Sequence, residues 1–223
     1  NNNNRLIIDI NEIVPNTQAI PYSFSPLNEE NDNLKCIRVI RGHIKWCNCL
    51  LVLHSNNLCS CSGDKSINIY SNDLYFNVIL SLKQCHDDFI LFITEIKIKE
   101  KSDYILASSS SDGTSKLGKL FINSNNLMEN NNYYLLQKIV AHESDSWKIL
   151  YIYEYNHLIS CSSDSLIKVW NITPDYNKND LNKNNLIINY KLEKIINEHK
   201  YWSSSIIQVK NKKRNINYLV SGS

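Results

Sequence analysis

Residues 158–170 read Leu158-Ile159-Ser160-Cys161-Ser162-Ser163-Asp164-Ser165-Leu166-Ile167-Lys168-Val169-Trp170. Two apolar runs flank a polar turn centred on an aspartate, and apolar positions alternate with polar ones in the second run. That is the period-two pattern of half-buried strands joined by Ser/Asp turn chemistry. The string aligns without gaps on Leu58-Cys59-Ser60-Cys61-Ser62-Gly63-Asp64-Lys65-Ser66-Ile67-Asn68-Ile69-Tyr70. It aligns equally on Leu106 to Gly118, where Ala107-Ser108-Ser109-Ser110-Ser111-Asp112-Gly113 fills the same places.

A histidine precedes each copy. His43, His86 and His142 stand 21, 26 and 22 residues before Asp64, Asp112 and Asp164. Short apolar runs, Cys36–Ile40 and Leu135–Val140, read as strands leading into His43 and His142. A fourth unit starts at His199 after Leu192–Ile196. It passes through Trp202 and a Lys-rich turn, and ends at Tyr218-Leu219-Val220-Ser221-Gly222-Ser223, two residues short of its expected aspartate. A repeat of roughly 40 to 50 residues with four strands per unit points to a β-propeller.

Arg41-Gly42-His43, Ala141-His142, Ser162-Ser163-Asp164 and Ile167-Lys168-Val169-Trp170 resemble the GH and WD signatures of the WD40 repeat family, over residues 34–223. The third unit is the most faithful. The first has Tyr70 where the family has Trp, and the second has Gly118 there and Cys85 in place of Gly42. The resemblance implies an all-β WD40-type β-propeller with repeats at 34–80, 81–134, 135–191 and 192–223, the last incomplete. That is about three and a half blades, and since propellers close with roughly 4 to 8, the chain reads as a fragment of a larger propeller with about 6 to 8. Residues 1–33 carry no signature; they read either as outer strands of an earlier blade, at Arg5–Ile10 and Val14–Phe24, or as a partly disordered segment.

The signature also has a physical meaning. A histidine, a serine, an aspartate and an indole N–H can form one closed hydrogen-bond chain, so that a buried carboxylate is satisfied instead of costing several kcal/mol. The residues expected in such networks are His142, Ser160, Asp164 and Trp170; His43, Ser60 and Asp64; and His86, Ser108 and Asp112.

Composition narrows the function classes. With 223 residues and 43% apolar content the chain can bury a core. A net charge of +2 gives no field that would gather nucleic acid, and the one basic cluster, Lys210–Arg214, reads as a solvated turn. No segment approaches the ~20 apolar residues of a membrane helix. Seven cysteines placed inside apolar runs suit reduced, buried thiols, hence cytoplasm or nucleus. Asparagine-rich stretches near 123–132 and 173–189 are too polar to pack and read as surface insertions.

Chemistry finds few footholds. Cys47-x-Cys49 with Cys59-x-Cys61 has the spacing of a zinc site, yet Cys61 stands where the repeat places Cys161 and Gly222, so a small buried residue is the better reading. Ser108–Ser111 beside His86 and Asp112 has the ingredients of a hydrolase triad, but only those the repeat already demands, and there is no Gly-x-Ser-x-Gly elbow. Neither a phosphate-binding glycine loop nor an arginine cluster is present; the repeats hold only Arg38, Arg41 and Arg214. We therefore expect no catalytic residues, no cofactor, no metal, and neither nucleic acid nor membrane as a partner. Trp46, Trp147 and Trp202 follow the histidines by three to five residues. They read first as packing residues, with Trp46 and Trp202 candidates for a partner-binding rim. The family resemblance implies a non-catalytic scaffold for protein–protein interactions in a multiprotein complex. The finer alternatives are a ubiquitin-ligase substrate adaptor and a cytosolic iron–sulfur assembly scaffold; an enzyme on a propeller is disfavoured.

Overall fold

The computed structural model describes residues 8–9, 38–73, 75–98, 104–122, 132–176, 186–211 and 216–223. Every regular element among them is a strand, and none is a helix long and apolar enough to cross a membrane. β1 (Ile8–Asp9) and β2 (Arg38–Val39) form a short parallel pair. Three antiparallel meanders follow. The first is β3 (Cys47–Val52), β4 (Leu58–Ser62), β5 (Ile67–Tyr70) and β6 (Val78–Leu82). The second is β7 (Ile90–Lys97), β8 (Tyr104–Ser110), β9 (Thr114–Phe121) and β10 (Asn132–Val140). The third is β11 (Ser146–Ile152), β12 (His157–Ser162), β13 (Ile167–Tyr176) and β14 (Leu186–Ile196). β15 (Ser205–Asn211) and β16 (Ile216–Gly222) make a final two-stranded sheet.

The sheets stand side by side as blades. Their first strands pack in series, β3 on β7, β7 on β11 and β11 on β15. The apolar cores accordingly lie between sheets. Ile69, Ile79 and Cys61 of blade 1 meet Ile90, Ile93 and Leu106 of blade 2. Ile105, Leu117 and Ile139 of blade 2 meet Ile149, Leu158 and Trp170 of blade 3, and Ile159, Val169 and Cys161 of blade 3 meet Ile206. Because both faces of blade 2 are covered by neighbouring sheets, β8 is buried at all but its first position, and β4 of blade 1 is buried at every position between blade 2 and the segment carrying Ile40 and His43. The small Ser, Cys and Ala side chains of these strands let neighbouring sheets approach. At the ends of the array one face is open. β3 alternates half-buried and exposed residues, leaving Leu50 and Val52 exposed, and β15 and β16 leave Ile207, Val209 and Val220 exposed.

Two features differ from the sequence reading. The strand before each histidine belongs to the preceding sheet: β10 completes blade 2 and β14 completes blade 3. The sequence repeats 135–191 and 192–223 therefore begin before the blade they name, and each repeat staples two sheets together. The stretch read as an insertion at 173–189 is narrower than expected, since Thr173 pairs with Asn189 and Tyr176 with Leu186. Ile172, Leu186 and Ile188 are buried in the seam with blade 2, and they extend the ladder that far. Residues 123–131 and 177–185 of the Asn-rich stretches, the Val14–Phe24 segment, and residues 212–214 of the basic cluster lie outside the described residues.

The turns carry the repeat in detail. The residue after each turn aspartate is left-handed, at φ 68° for Lys65, 75° for Gly113 and 68° for Ser165. Only glycine adopts that conformation freely. Gly113 is also crowded, because a Cβ there would stand 2.4 Å from the His142 carbonyl oxygen. Gly113→Ala is therefore expected to cost about 1–3 kcal/mol. Ser165→Gly, which relieves a left-handed residue, should be neutral or stabilising by up to about 1 kcal/mol. Denaturant midpoints at constant m-value measure both.

Candidate functional site

The recurring polar set lies where the loop entering each blade meets the turn between its second and third strands. In blade 3, His142 Nδ1 is 2.9 Å from Asp164 Oδ2, and its Nε2 is 2.8 Å from Ser160 Oγ. Trp170 Nε1 donates to the same Ser160 Oγ at 3.0 Å. An ionised carboxylate only accepts, so Nδ1–H donates to Asp164, and Nε2 of the neutral ring takes the serine proton. Indole, serine, imidazole and carboxylate thus form one directed chain.

Blade 1 repeats it with substitutions. His43 lies 3.0 Å from Asp64 Oδ2 and 2.7 Å from Ser60 Oγ, and Tyr70 Oη stands 3.1 Å from Ser60 Oγ in the indole's place. Gly42 makes room for it, since a Cβ there would lie 2.0 Å from Tyr70 Oη. In blade 2, His86 is 3.0 Å from Asp112 and 2.8 Å from Ser108. No side chain at Gly118 completes that chain. Instead the Tyr133 ring, from the neighbouring strand β10, fills the space, and a Cβ on Gly118 would stand 2.1 Å from it.

All three aspartates also close their own turn. Their Oδ1 atoms accept from the backbone N–H of Ser66, Thr114 and Leu166 at 2.9–3.0 Å. Asp64 and Asp112 further accept from the N–H of Ile44 and Asp87. Burial pushes Asp64 and Asp112 up, but the hydrogen bonds, led by those from His43 and His86, outweigh it and hold both well below the ordinary carboxylate range. Burial raises Asp164 too, and the Leu166 amide and His142 bring it below its ordinary value. Burial lowers His142, with Asp164 opposing.

Several members of this arrangement were not in the sequence reading. His199 Nε2 stands 2.7 Å from Ser221 Oγ, so half the network exists in the fourth unit. Four residues past each aspartate, Asn68, Lys116 and Lys168 donate to the carbonyl of the residue before each histidine, Gly42, Cys85 and Ala141. That last position is visible in the alignment, but its residue types vary and gave no signal. Tyr133 could have been suspected from a glycine in an aromatic position with a spare aromatic on the next strand.

Ser–His–Asp is also the composition of a hydrolytic triad. Here the serine oxygens point into the blade, and Ser60, Ser108 and Ser160 are 0%, 3% and 0% exposed. Each serine oxygen is enclosed in the blade and engaged by its histidine. The cysteines Cys47, Cys49, Cys59 and Cys61 carry free thiols, and no group of three or more His, Cys, Asp or Glu side chains among the described residues converges as a metal site.

What faces outward is the loop after each histidine. Trp46 is 56% exposed and lies over Gly63, with Phe89 of blade 2 edge-on at 5.5 Å. Lys45 sits over the same Phe89 ring. Ile44, Tyr201 and Trp202 are exposed, Trp202 at 63%. Trp147 differs: it is half-buried, and its Nε1 donates to Ser163 Oγ at 2.7 Å. Lys210 of the basic cluster pairs with Glu154.

Residues 34–71 and 133–171 match the family model for the WD domain, G-beta repeat (WD40). Among solved structures, the WD40 β-propeller domain of Doa1 is similar, with a TM-score of 0.52 and 20% identity over 75% of this chain. The match covers 46% of that structure, so this chain spans about half of it. No curated protein matches the sequence. The two repeat matches fall on the units with the best preserved chains, blades 1 and 3.

The pH dependence follows from the shifts. His142 is lowered from 6.5 and the aspartates from 3.8, so for each group the unfolded state binds more protons across its window. Stability should therefore rise with pH through both windows. On acidification it should fall first below about pH 6.5, as His142 is drawn to protonate by unfolding, and more steeply below about pH 4, as the aspartates are. Thermal unfolding between pH 8 and 3 measures this. His142→Gln should flatten the upper step and leave the lower one.

Proposed function

We propose that this chain, a set of WD40-type propeller blades, is a non-catalytic scaffold that binds other proteins through the loop face following the histidines. The observation that carries the reading is the division of labour in each unit. The polar residues of the recurring network are sealed inside the blade, while a large aromatic side chain, Trp46, stands exposed on the loop above them beside its own turn at Gly63.

Exposed Trp and Tyr on rigid supports make interaction hot spots because they bury much area at little entropic cost. The support is rigid here: the N–H of Gly63, Ser111 and Ser163 bonds to the carbonyls of Trp46, Phe89 and Asp145, tying each loop to the turn beside it. The same face carries Asp87 and Glu143, both exposed, between the aromatic positions of blades 1 and 4. Lys45 and Lys200 are exposed on the same loops and Lys138 pairs with Asp87, so the face carries both signs of charge and its aromatic groups supply the recognition. An adaptor for a ubiquitin ligase and an iron–sulfur assembly scaffold are both finer forms of this role. They share the requirement for a protein partner on the disc and differ in which one.

The test is to isolate the protein from its own cells with its associated chains, then repeat with Trp46→Ala and Trp202→Ala. Each substitution should weaken a principal association by at least about 30-fold, the equivalent of a hot spot of about 2 kcal/mol, with the unfolding midpoint unchanged. Retention of every partner by the double variant would contradict the assignment of this face.

A further inference from the structure

Cys49 and Cys61 are direct cross-strand partners in the β3–β4 ladder. Opposed residues in an antiparallel pair have Cα atoms about 4.5–5.5 Å apart and side chains on one face, within the about 4.4–6.8 Å that a disulfide spans. Both thiols point into the seam with blade 2: the Cys49 thiol donates to the Ile93 carbonyl at 3.7 Å and the Cys61 thiol to the Ile90 carbonyl at 3.6 Å.

The repeat itself explains only one of them. At the position of Cys61 the other blades have Ser109 and Cys161, small residues in a tight seam, whereas the partners opposite are Phe92 and Lys148. A position that accepts a phenyl ring or a lysine does not require cysteine for packing.

The surroundings of the two sulfurs differ as well. The Cys61 thiol beside it, against the pull of burial and with help from the Ile93 carbonyl and the Lys148 ammonium, brings Cys49 down to about 7. Burial pushes Cys61 and Cys59 well up, and Cys47 to about 11. Cys49 is also half-buried where Cys59 and Cys61 are fully enclosed. A half-buried cysteine near a cation, with a second thiol directly opposite, has the features of a reactive thiol with a resolving partner.

We propose that Cys49 and Cys61 are an oxidisable pair, with Cys49 the attacking thiolate and Cys61 the resolving thiol, and a peroxide as the oxidant. The Cys49 sulfur attacks one peroxide oxygen and the O–O bond breaks. This gives a sulfenic acid on Cys49 and a hydroxide that leaves as water after taking a proton. The Cys61 sulfur then displaces the hydroxyl from the Cys49 sulfur, forming the S–S bond, and the Cys61 proton departs with that hydroxyl as a second water. Two thiols are oxidised and one peroxide is reduced. The bond ties the inner two strands of blade 1 together at directly opposed positions.

The experiment treats the purified chain with limiting hydrogen peroxide at neutral pH, digests it without reduction, and maps cross-links by mass spectrometry. The wild type should give a Cys49–Cys61 linked peptide. With Cys61→Ser, a residue tolerated at the same place as Ser109, Cys49 should be trapped as a sulfenic acid by dimedone. With Cys49→Ser, Cys61 should stay a thiol. In the untreated protein, iodoacetamide should label Cys49 at least about tenfold faster than Cys59 at pH 7. A dominant cross-link between any other cysteines, or labelling of Cys49 no faster than Cys59, overturns the proposal.

Discussion

A carboxylate placed behind the face of a β-sheet is tolerable only if its oxygens are fully engaged, and each blade of this protein is arranged around meeting that requirement. Asp64, Asp112 and Asp164 each accept from a histidine of the incoming loop and from the amide two residues ahead in their own turn. The histidine then reaches the second strand through a serine. Loop, turn and strand are thereby fixed to one another by charge-assisted bonds in a dry site, where such bonds are strong and their loss is expensive. The strand leading into each histidine belongs to the preceding sheet, so the same bonds hold successive blades in register.

Packing does the rest. Each inner blade has two covered faces, and its middle strands are built from side chains small enough to let the neighbouring sheets meet. Where no described sheet lies alongside, as on the outer face of β3 and of the β15–β16 pair, the apolar residues Leu50, Val52, Ile207 and Val220 face outward. β3 and β4 share one sheet, yet β3 is exposed at alternate positions and β4 is buried throughout, because Ile40 and His43 of the incoming segment cover Leu58 and Ser60 on the outer face of β4.

Much of this was legible in the primary structure because the network needs particular residue types at particular spacings. His142, Ser160, Asp164 and Trp170 could be named together because each has a distinct donor or acceptor role. Tyr70 could be placed as the indole's substitute for the same reason. What escaped were compensations whose residue types are free to vary. Tyr133 fills the gap over Gly118 from another strand, and Asn68, Lys116 and Lys168 perform one task with different side chains. Sequence repeats and sheets are offset by one strand because a repeat marks recurrence, whereas hydrogen bonding decides which sheet a strand joins. The exposure of Trp46 and Trp202 against the half-burial of Trp147 follows a difference in spacing, three residues after the histidine for the first two and five for Trp147. Trp147 lies inside the first strand and finds Ser163, while the other two lie before it.

The buried polar residues hold the blades to one another, and under the proposed function the exposed loop residues hold a partner. The most direct measurement is amide hydrogen exchange on the protein alone and with its copurified partner. The account predicts slowed exchange concentrated at residues 44–46, 87–89, 143–145 and 200–202, with the already protected amides of β4, β8 and β12 unchanged. Protection confined to the turns at 54–57 and 153–156, or to the outer strands β10 and β14, would contradict it.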